Sequence, residues 1–276
     1  MNQDSWLTAF ASELRRAGLG TELAGNVVAE AAAHLRDSRE PPLSVFGPPG
    51  TYAAAVAGSL RLPRSSRARH GGGWPVRLDA RGIGKRYRRQ PVLHGVDLAV
   101  RAGQIAAVVG ANGCGKSTFL RICAGLVSPD HGSVRVSGNI GYCPQDGGTC
   151  ESLTADEHFI LIGAGRGMPR QAARAVGCSH AARLDWTASR GPQARHLSGG
   201  TRQKLNLVMA SLGEPDVLLL DEPYQGFDRG AYLDFWHEVE HWRDCGKAIV
   251  VVTHMLSQLD RADIVLDLTS AGGRAA

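Results

Sequence analysis

The chain has 276 residues, 43% of them hydrophobic and 21% charged, with a formal net charge of +5. That length and composition suit one large globular domain, or one large and one small. The mild basic excess is not the dense stripe of a nucleic-acid binder: it is concentrated only at 61–69 and 85–89, so no nucleic-acid partner is expected. No apolar run approaches the ~18–20 residues that span a bilayer. Met1-Asn-Gln-Asp4 lacks the basic and apolar regions of a secretory signal, so the chain is not expected to cross a membrane by itself. Six cysteines show neither C-x-x-C pairing nor zinc-like spacing with histidine, and Cys114 lies within a glycine loop, which points to a reduced compartment.

Residues 1–60 have helical periodicity. Trp6, Leu7, Phe10 and Leu14 share one face, and Leu19, Leu23, Val27 and Leu35 continue an apolar stripe after the Gly18–Gly20 break, with Asp4 and Thr21 as expected N-caps. Pro41-Pro42 and Gly47-Pro-Pro-Gly50 punctuate a turn region before an alanine-rich helix over 52–60. Three short helices bury little surface, so this unit is expected to be marginal alone or to dock on something. The stretch 62–75, with Pro63, several arginines and Gly71-Gly-Gly73, has the composition of a flexible basic linker.

From Val76 short strands alternate with helices. Strands are expected at 76–78, 96–100, 105–109, 133–136, 217–220, 248–252 and 264–268, and the continuous apolar ones suit a parallel sheet buried on both faces. Helices are expected at 116–124, 155–164, 198–212 and 229–242.

The strand at 105–109 feeds Gly110-Ala-Asn-Gly-Cys-Gly-Lys-Ser-Thr118, which fits G-x-x-x-x-G-K-S/T in strand–loop–helix context. Gly110, Gly113 and Gly115 permit backbone angles and close approach that a side chain would block. With Asn112 and Thr118 they make a loop whose amides, at a helix start, face phosphates. Lys116 can reach the β and γ phosphates, and Ser117 can ligate Mg²⁺. Val217-Leu-Leu-Leu220 delivers Asp221 and Glu222 to the polar end of a buried strand, where one carboxylate can hold hydrated Mg²⁺ and the other can reach the attacking water. In Leu197-Ser-Gly-Gly-Thr-Arg-Gln203, Gly199 and Gly200 leave room for phosphate oxygens, and Ser198 with the following amides makes a second anion site. A loop around Lys116 already wraps a triphosphate from one side, so a second γ-phosphate site implies a second protomer, in an isologous two-fold pair.

These motifs, in this order over roughly 76–268, resemble the ATP-binding subunit of an ABC (ATP-binding cassette) transporter. The resemblance implies an α/β P-loop NTPase cassette, a mixed sheet core with a helical subdomain. A small N-terminal α-helical domain is expected at 1–61, a linker at 62–75 and the cassette at 76–276. It implies Asp221 on the magnesium side and Glu222 as general base. Gln145, in Gly141-Tyr-Cys-Pro-Gln145, matches the glutamine that senses Mg²⁺ and the water. His254 matches the switch histidine at the γ-phosphate, Asp228 the aspartate at the dimer seam, and Tyr87 the aromatic under adenine. Thr201 replaces the commoner glutamine, and Tyr224, Gln225 and Phe227 also depart from the family pattern.

The implied function is ATP hydrolysis with Mg²⁺ by a homodimer that drives a separate transmembrane permease subunit from the cytoplasmic face. Residues 153–158 and 198–204 look most like ATPases of the ABC-2 exporter type. A soluble non-transport ABC ATPase and a nucleotide-switched regulatory protein are the alternatives.

Overall fold

The structure, a computed structural model, describes residues 2–19, 24, 25, 27–29, 31, 32, 35, 41–61, 73–88, 90–188, 191–253, 259 and 261–268. Contacts divide the chain into two compact units, 1–67 with 254–262, and 68–253 with 263–276.

In the first unit, helix α1 (Gln3–Arg16) buries Trp6, Phe10 and Leu14 completely, one residue per turn along one face. Its N-cap is Asn2, whose side chain accepts from the Ser5 amide at 2.9 Å; the expected cap, Asp4, sits inside the first turn, where its charge complements the helix dipole. The expected cap Thr21 lies outside the described residues. Ala24, Val27, Ala31 and Leu35 are helical and buried. A short helix α2 (Pro42–Val45) occupies part of the expected turn region.

Helix α3 (Pro49–Arg61) starts three residues earlier than expected, because proline is tolerated in a first turn. Phe46 and Tyr52 lie 4.7 Å apart and close an aromatic cluster with Trp6 and Phe10, while the Trp6 indole donates to the Gly47 carbonyl at 2.9 Å.

The second unit has two sheets. The first is antiparallel, in the order β2 (Gln90–Arg101), β1 (Val76–Tyr87), β4 (His131–Val136). The β1–β2 hairpin is far longer than the strands expected at 76–78 and 96–100, since Gly82 and Gly95 with positive φ carry the ladder through bulges.

The second sheet is parallel: β5 (Ile140–Cys143), β6 (Val217–Asp221), β7 (Ala248–Val252), β3 (Ile105–Val109), β8 (Ile264–Asp267). Every residue of β3, β6 and β7 is buried, as two covered faces require. Helix α4 (Lys116–Cys123) packs Phe119, Leu120 and Ile122 into a core shared by both sheets.

Helices α5 (Ala155–Gly165), α6 (Arg170–Arg183) and α7 (Gly199–Ser211) form the helical part, and α8 (Arg229–Asp244) follows β6. Helix α5 opens on a reciprocal cap between Thr154 and Glu157.

Candidate functional site

The parallel sheet brings its chemistry to the carboxyl ends of its strands, where an open α/β sheet offers a crevice. Strand β3 ends in the glycine loop, β6 in Asp221 and Glu222, and β7 in Thr253, while β5 leads within two residues to Gln145.

Gly110, Gly113 and Gly115 all have positive φ, and Gly115 caps α4 at φ +103°. A Cβ on Gly115 would fall 2.7 Å from Val92 Cγ1 and 2.9 Å from Leu93 Cδ2, so only glycine closes this loop. Lys116 is 6% exposed; its ammonium donates to the Gly110 and Ala111 carbonyls at 2.7 and 3.2 Å, folded into the space the loop encircles. Asn112 and Gly113 are exposed at the loop's tip, and Ser117 and Thr118 are half-buried in the first turn of α4. Burial pushes the Cys114 thiol up, against the opposing pull of Lys116, which keeps it protonated and weakly nucleophilic.

Asp221 is fully buried, and neither carboxylate oxygen has a hydrogen-bond partner of good geometry. Burial raises its pKa; the Ser117 hydroxyl lies close enough to oppose that shift without closing a good hydrogen bond, and the Glu222 charge adds to it. Two orphaned buried oxygens beside a serine hydroxyl are the donor set of a hard, hydrated divalent cation such as Mg²⁺. Glu222 stands at φ +45°, a conformation non-glycine residues rarely adopt, and accepts from the Gln145 amide at 2.9 Å. The structure thus brings together Lys116, Ser117, Asp221, Glu222 and Gln145.

Ser198 caps the 13-residue helix α7, accepting from the Thr201 amide at 3.2 Å with the two hydroxyls 2.8 Å apart. Ser198 and Gly199 are exposed, and a Cβ on Gly200 would sit 2.5 Å from the Gly226 carbonyl. Asp228 is exposed and caps α8 through the Ala231 amide at 2.8 Å. Tyr87 is 46% exposed, with the Lys85 ammonium 5.6 Å from its ring centre. His254 lies outside the described residues.

Sequence reasoning missed two contacts. Buried Tyr224, one of the departures noted above, hydrogen-bonds the Thr253 hydroxyl at the end of β7. Asn206 and Gln203 on α7 bond the segment that carries Gln145. Only spatial proximity reveals either; a polar residue inside an apolar helix, as at 206, is the one signal that could have drawn attention.

A phosphate-cradling loop after a buried parallel strand, with a buried carboxylate on the next strand but one, defines a P-loop nucleoside triphosphatase. The model of the ABC transporter family matches residues 93–225. The Nod factor export ATP-binding protein I of Ralstonia nicotianae is 32% identical over 69% of this chain, which spans 63% of that protein's length. The aliphatic sulfonates import ATP-binding protein SsuB 1 of Rhodococcus jostii is 36% identical over 71% of this chain and 81% of its own length.

A solved ATP-binding subunit of an ABC transporter superposes with TM-score 0.64 at 27% identity, covering 72% of this chain and 87% of that one. A bacterial ABC transporter cassette solved as a dimer has the same fold at TM-score 0.64 and 21% identity, covering 69% and 93%. The chain belongs to the ABC transporter ATP-binding family, whose cassettes bind and hydrolyse ATP. Among the described residues, no helix is long and apolar enough to cross a membrane.

Proposed function

We propose that two copies of this chain pair head to tail around two ATP molecules and drive a separate transmembrane permease subunit from the cytoplasmic face, in the direction of export. The observation that carries this reading is the presence, in one chain, of a lysine loop closed around its own phosphate cradle and an exposed, glycine-lined helix start at Ser198. Each is half of a phosphate site, and an isologous pair completes both. Export rests on the resemblance of 153–158 and 198–204 to exporter ATPases; the named relatives include both an export and an import protein. The cassette is assigned to 76–276, the helical domain to 1–61 and the linker to 62–75.

In this reading the Lys116 ammonium leaves the Gly110 and Ala111 carbonyls for the β and γ phosphates, exchanging neutral acceptors for charged ones. Asp221, Ser117 and Gln145 would hold Mg²⁺, which when bound neutralises charge on the phosphates. Glu222 accepts the proton of the attacking water, and the Gln145 amide at 2.9 Å fixes that carboxylate's orientation. Tyr87 offers its exposed ring to adenine, Asp228 lies at the seam between copies, and His254 keeps the γ-phosphate role that the family resemblance gives it. Lys116→Ala tests the cradle: loss of ATP binding is expected, and parental nucleotide affinity would overturn it. A multi-span membrane protein is expected to copurify with the full chain from detergent-solubilised membranes; sedimentation with ribosomes instead would contradict the transport assignment.

A further inference from the structure

We propose that Asn206 and Gln203 form a buried amide clamp that positions residues 144–148, and through them sets Gln145 against Glu222. The inference rests on the reading of Gln145 and Glu222 given above.

Asn206 donates through Nδ2 to the Gly147 carbonyl at 3.0 Å and to Gln203 Oε1 at 3.2 Å. Gln203 in turn donates through Nε2 to the Pro144 carbonyl at 3.5 Å and reaches Cys143 Sγ at 3.6 Å. Both side chains are buried, at 3% and 5% exposure. The two main-chain anchors, 144 and 147, flank Gln145. After β5 the segment has no sheet ladder, and Gly147 and Gly148 are both left-handed, at φ +78° and +80°. A Cβ on Gly148 would lie 2.6 Å from Asn206 Oδ1 and 2.9 Å from Pro144 Cγ, so the chain is folded tightly over the amide.

The Gly147 carbonyl can only accept, so Asn206 must turn its NH₂ toward it. Asn206 Oδ1 is then buried without a hydrogen-bond partner among the described residues. An orphaned buried acceptor costs stability, but leucine would remove it only by taking the donor away from the Gly147 carbonyl and Gln203 Oε1 instead. Asparagine at 206 holds the Gly147 carbonyl and Gln203 together, which an apolar side chain cannot do. The same helix begins at Ser198, about 12 Å away at the usual rise per residue. A displacement of α7 at its Ser198 end is therefore passed by the clamp to Gln145. Asn206 and Gln203 are positioning residues, acting through Gln145.

The test is steady-state ATP hydrolysis by the full chain carrying Asn206→Ala, Asn206→Leu, Gln203→Glu, Gln145→Ala, or Asn206→Ala with Gln145→Ala. Loss of the Gly147 anchor is expected to lower kcat about tenfold, with the KM for ATP within about twofold of parental. Asn206→Leu, which leaves no void but cannot donate to the Gly147 carbonyl, is expected to be as slow. Gln203→Glu keeps an acceptor for Asn206 and loses the donations to Pro144 and Cys143, for about a threefold loss of kcat; it also serves if the position-206 variants fail to fold. The double variant is expected to be no slower than Gln145→Ala alone. Parental kcat in Asn206→Leu, additive losses in the double variant, or a raised KM at unchanged kcat would each overturn the clamp while a slow Gln145→Ala upheld the role of Gln145. Parental kcat in Gln145→Ala would instead overturn the assignment of Gln145 itself, and the clamp with it.

Discussion

Replacing Asp221 with asparagine should make the nucleotide-free protein more stable and useless as an ATPase. Asp221 is fully buried with both oxygens lacking good hydrogen-bond partners, and the charges of Arg121 and Lys116 offset its own only in part. Burial, helped by the Glu222 charge, raises its pKa against the opposing Ser117 hydroxyl. A carboxyl with a raised folded-state pKa imposes no penalty while it is protonated, below the ordinary range near 3.8. Its penalty grows as pH rises from that range toward the raised folded-state value and is complete above it.

An amide of the same shape removes that charge. An unsatisfied buried polar group costs about 1–3 kcal/mol and a charged one more, so the amide keeps the neutral cost and recovers only the excess due to charge, on the order of 1–3 kcal/mol. A folding unit of this size shifts by about 2–4 °C per kcal/mol, so Asp221→Asn is expected to melt about 2–12 °C higher at pH 7 without nucleotide. The gain should shrink toward zero in acid, as the parental carboxyl becomes neutral too. Added ATP and Mg²⁺ should raise the parental Tm and leave the variant's nearly unmoved, because the carboxylate that would hold the cation is gone. Scanning both proteins across pH, with and without ATP and Mg²⁺, checks every part. An Asp221→Asn protein less stable than parent at neutral pH would refute the reasoning, since it would mean the charge is already compensated.

Two further outcomes follow from contacts on the page. Tyr224→Phe removes the hydroxyl bonded to Thr253 and is expected to cost about 0.5–1.5 kcal/mol by denaturant unfolding, with Thr253→Val costing less when added to it than alone; fully additive losses would show that the two hydroxyls are not coupled. His180 is buried with Nδ1 2.8 Å from Ser211 Oγ and Nε2 3.6 Å from Glu214, and burial lowers its pKa against the pull of Glu214, with Arg183, Lys247 and His241 lowering it further. The unfolded imidazole takes up a proton below about 6.5 while the folded one resists. Parental stability should therefore fall between pH 7.5 and 5.5 more steeply than that of His180→Asn; parallel Tm profiles would contradict this.

What the sequence made legible was whatever has a fixed local spacing. The loop at 110–118, the run before Asp221 and the turn at 197–200 each announce their chemistry within a few residues, and β3 and β7 fall at their expected bounds. Helix α6 was not legible because its buried side is made of Ala173, Gly177, His180 and Ala181 and offers no large apolar stripe. Those small residues exist for close packing: a Cβ on Gly177 would lie 2.3 Å from the Phe159 ring, and one on Gly163 2.3 Å from Ala173 Cβ. Strand β5 was hidden likewise, its Gly141 set so close to the Ala210 carbonyl that a Cβ would come within 2.0 Å. The Gln145–Glu222 bond joins positions 77 residues apart, and no spacing rule reaches that far.

The claim that two copies share each ATP is tested most directly by the solution mass of Glu222→Gln in saturating ATP and Mg²⁺. With the base replaced, hydrolysis cannot release the pair, and the expected species is a dimer retaining one ATP per chain, which returns to monomer when Ser198→Phe is added. A monomer holding ATP, or steady-state hydrolysis at the parental rate, would contradict the account.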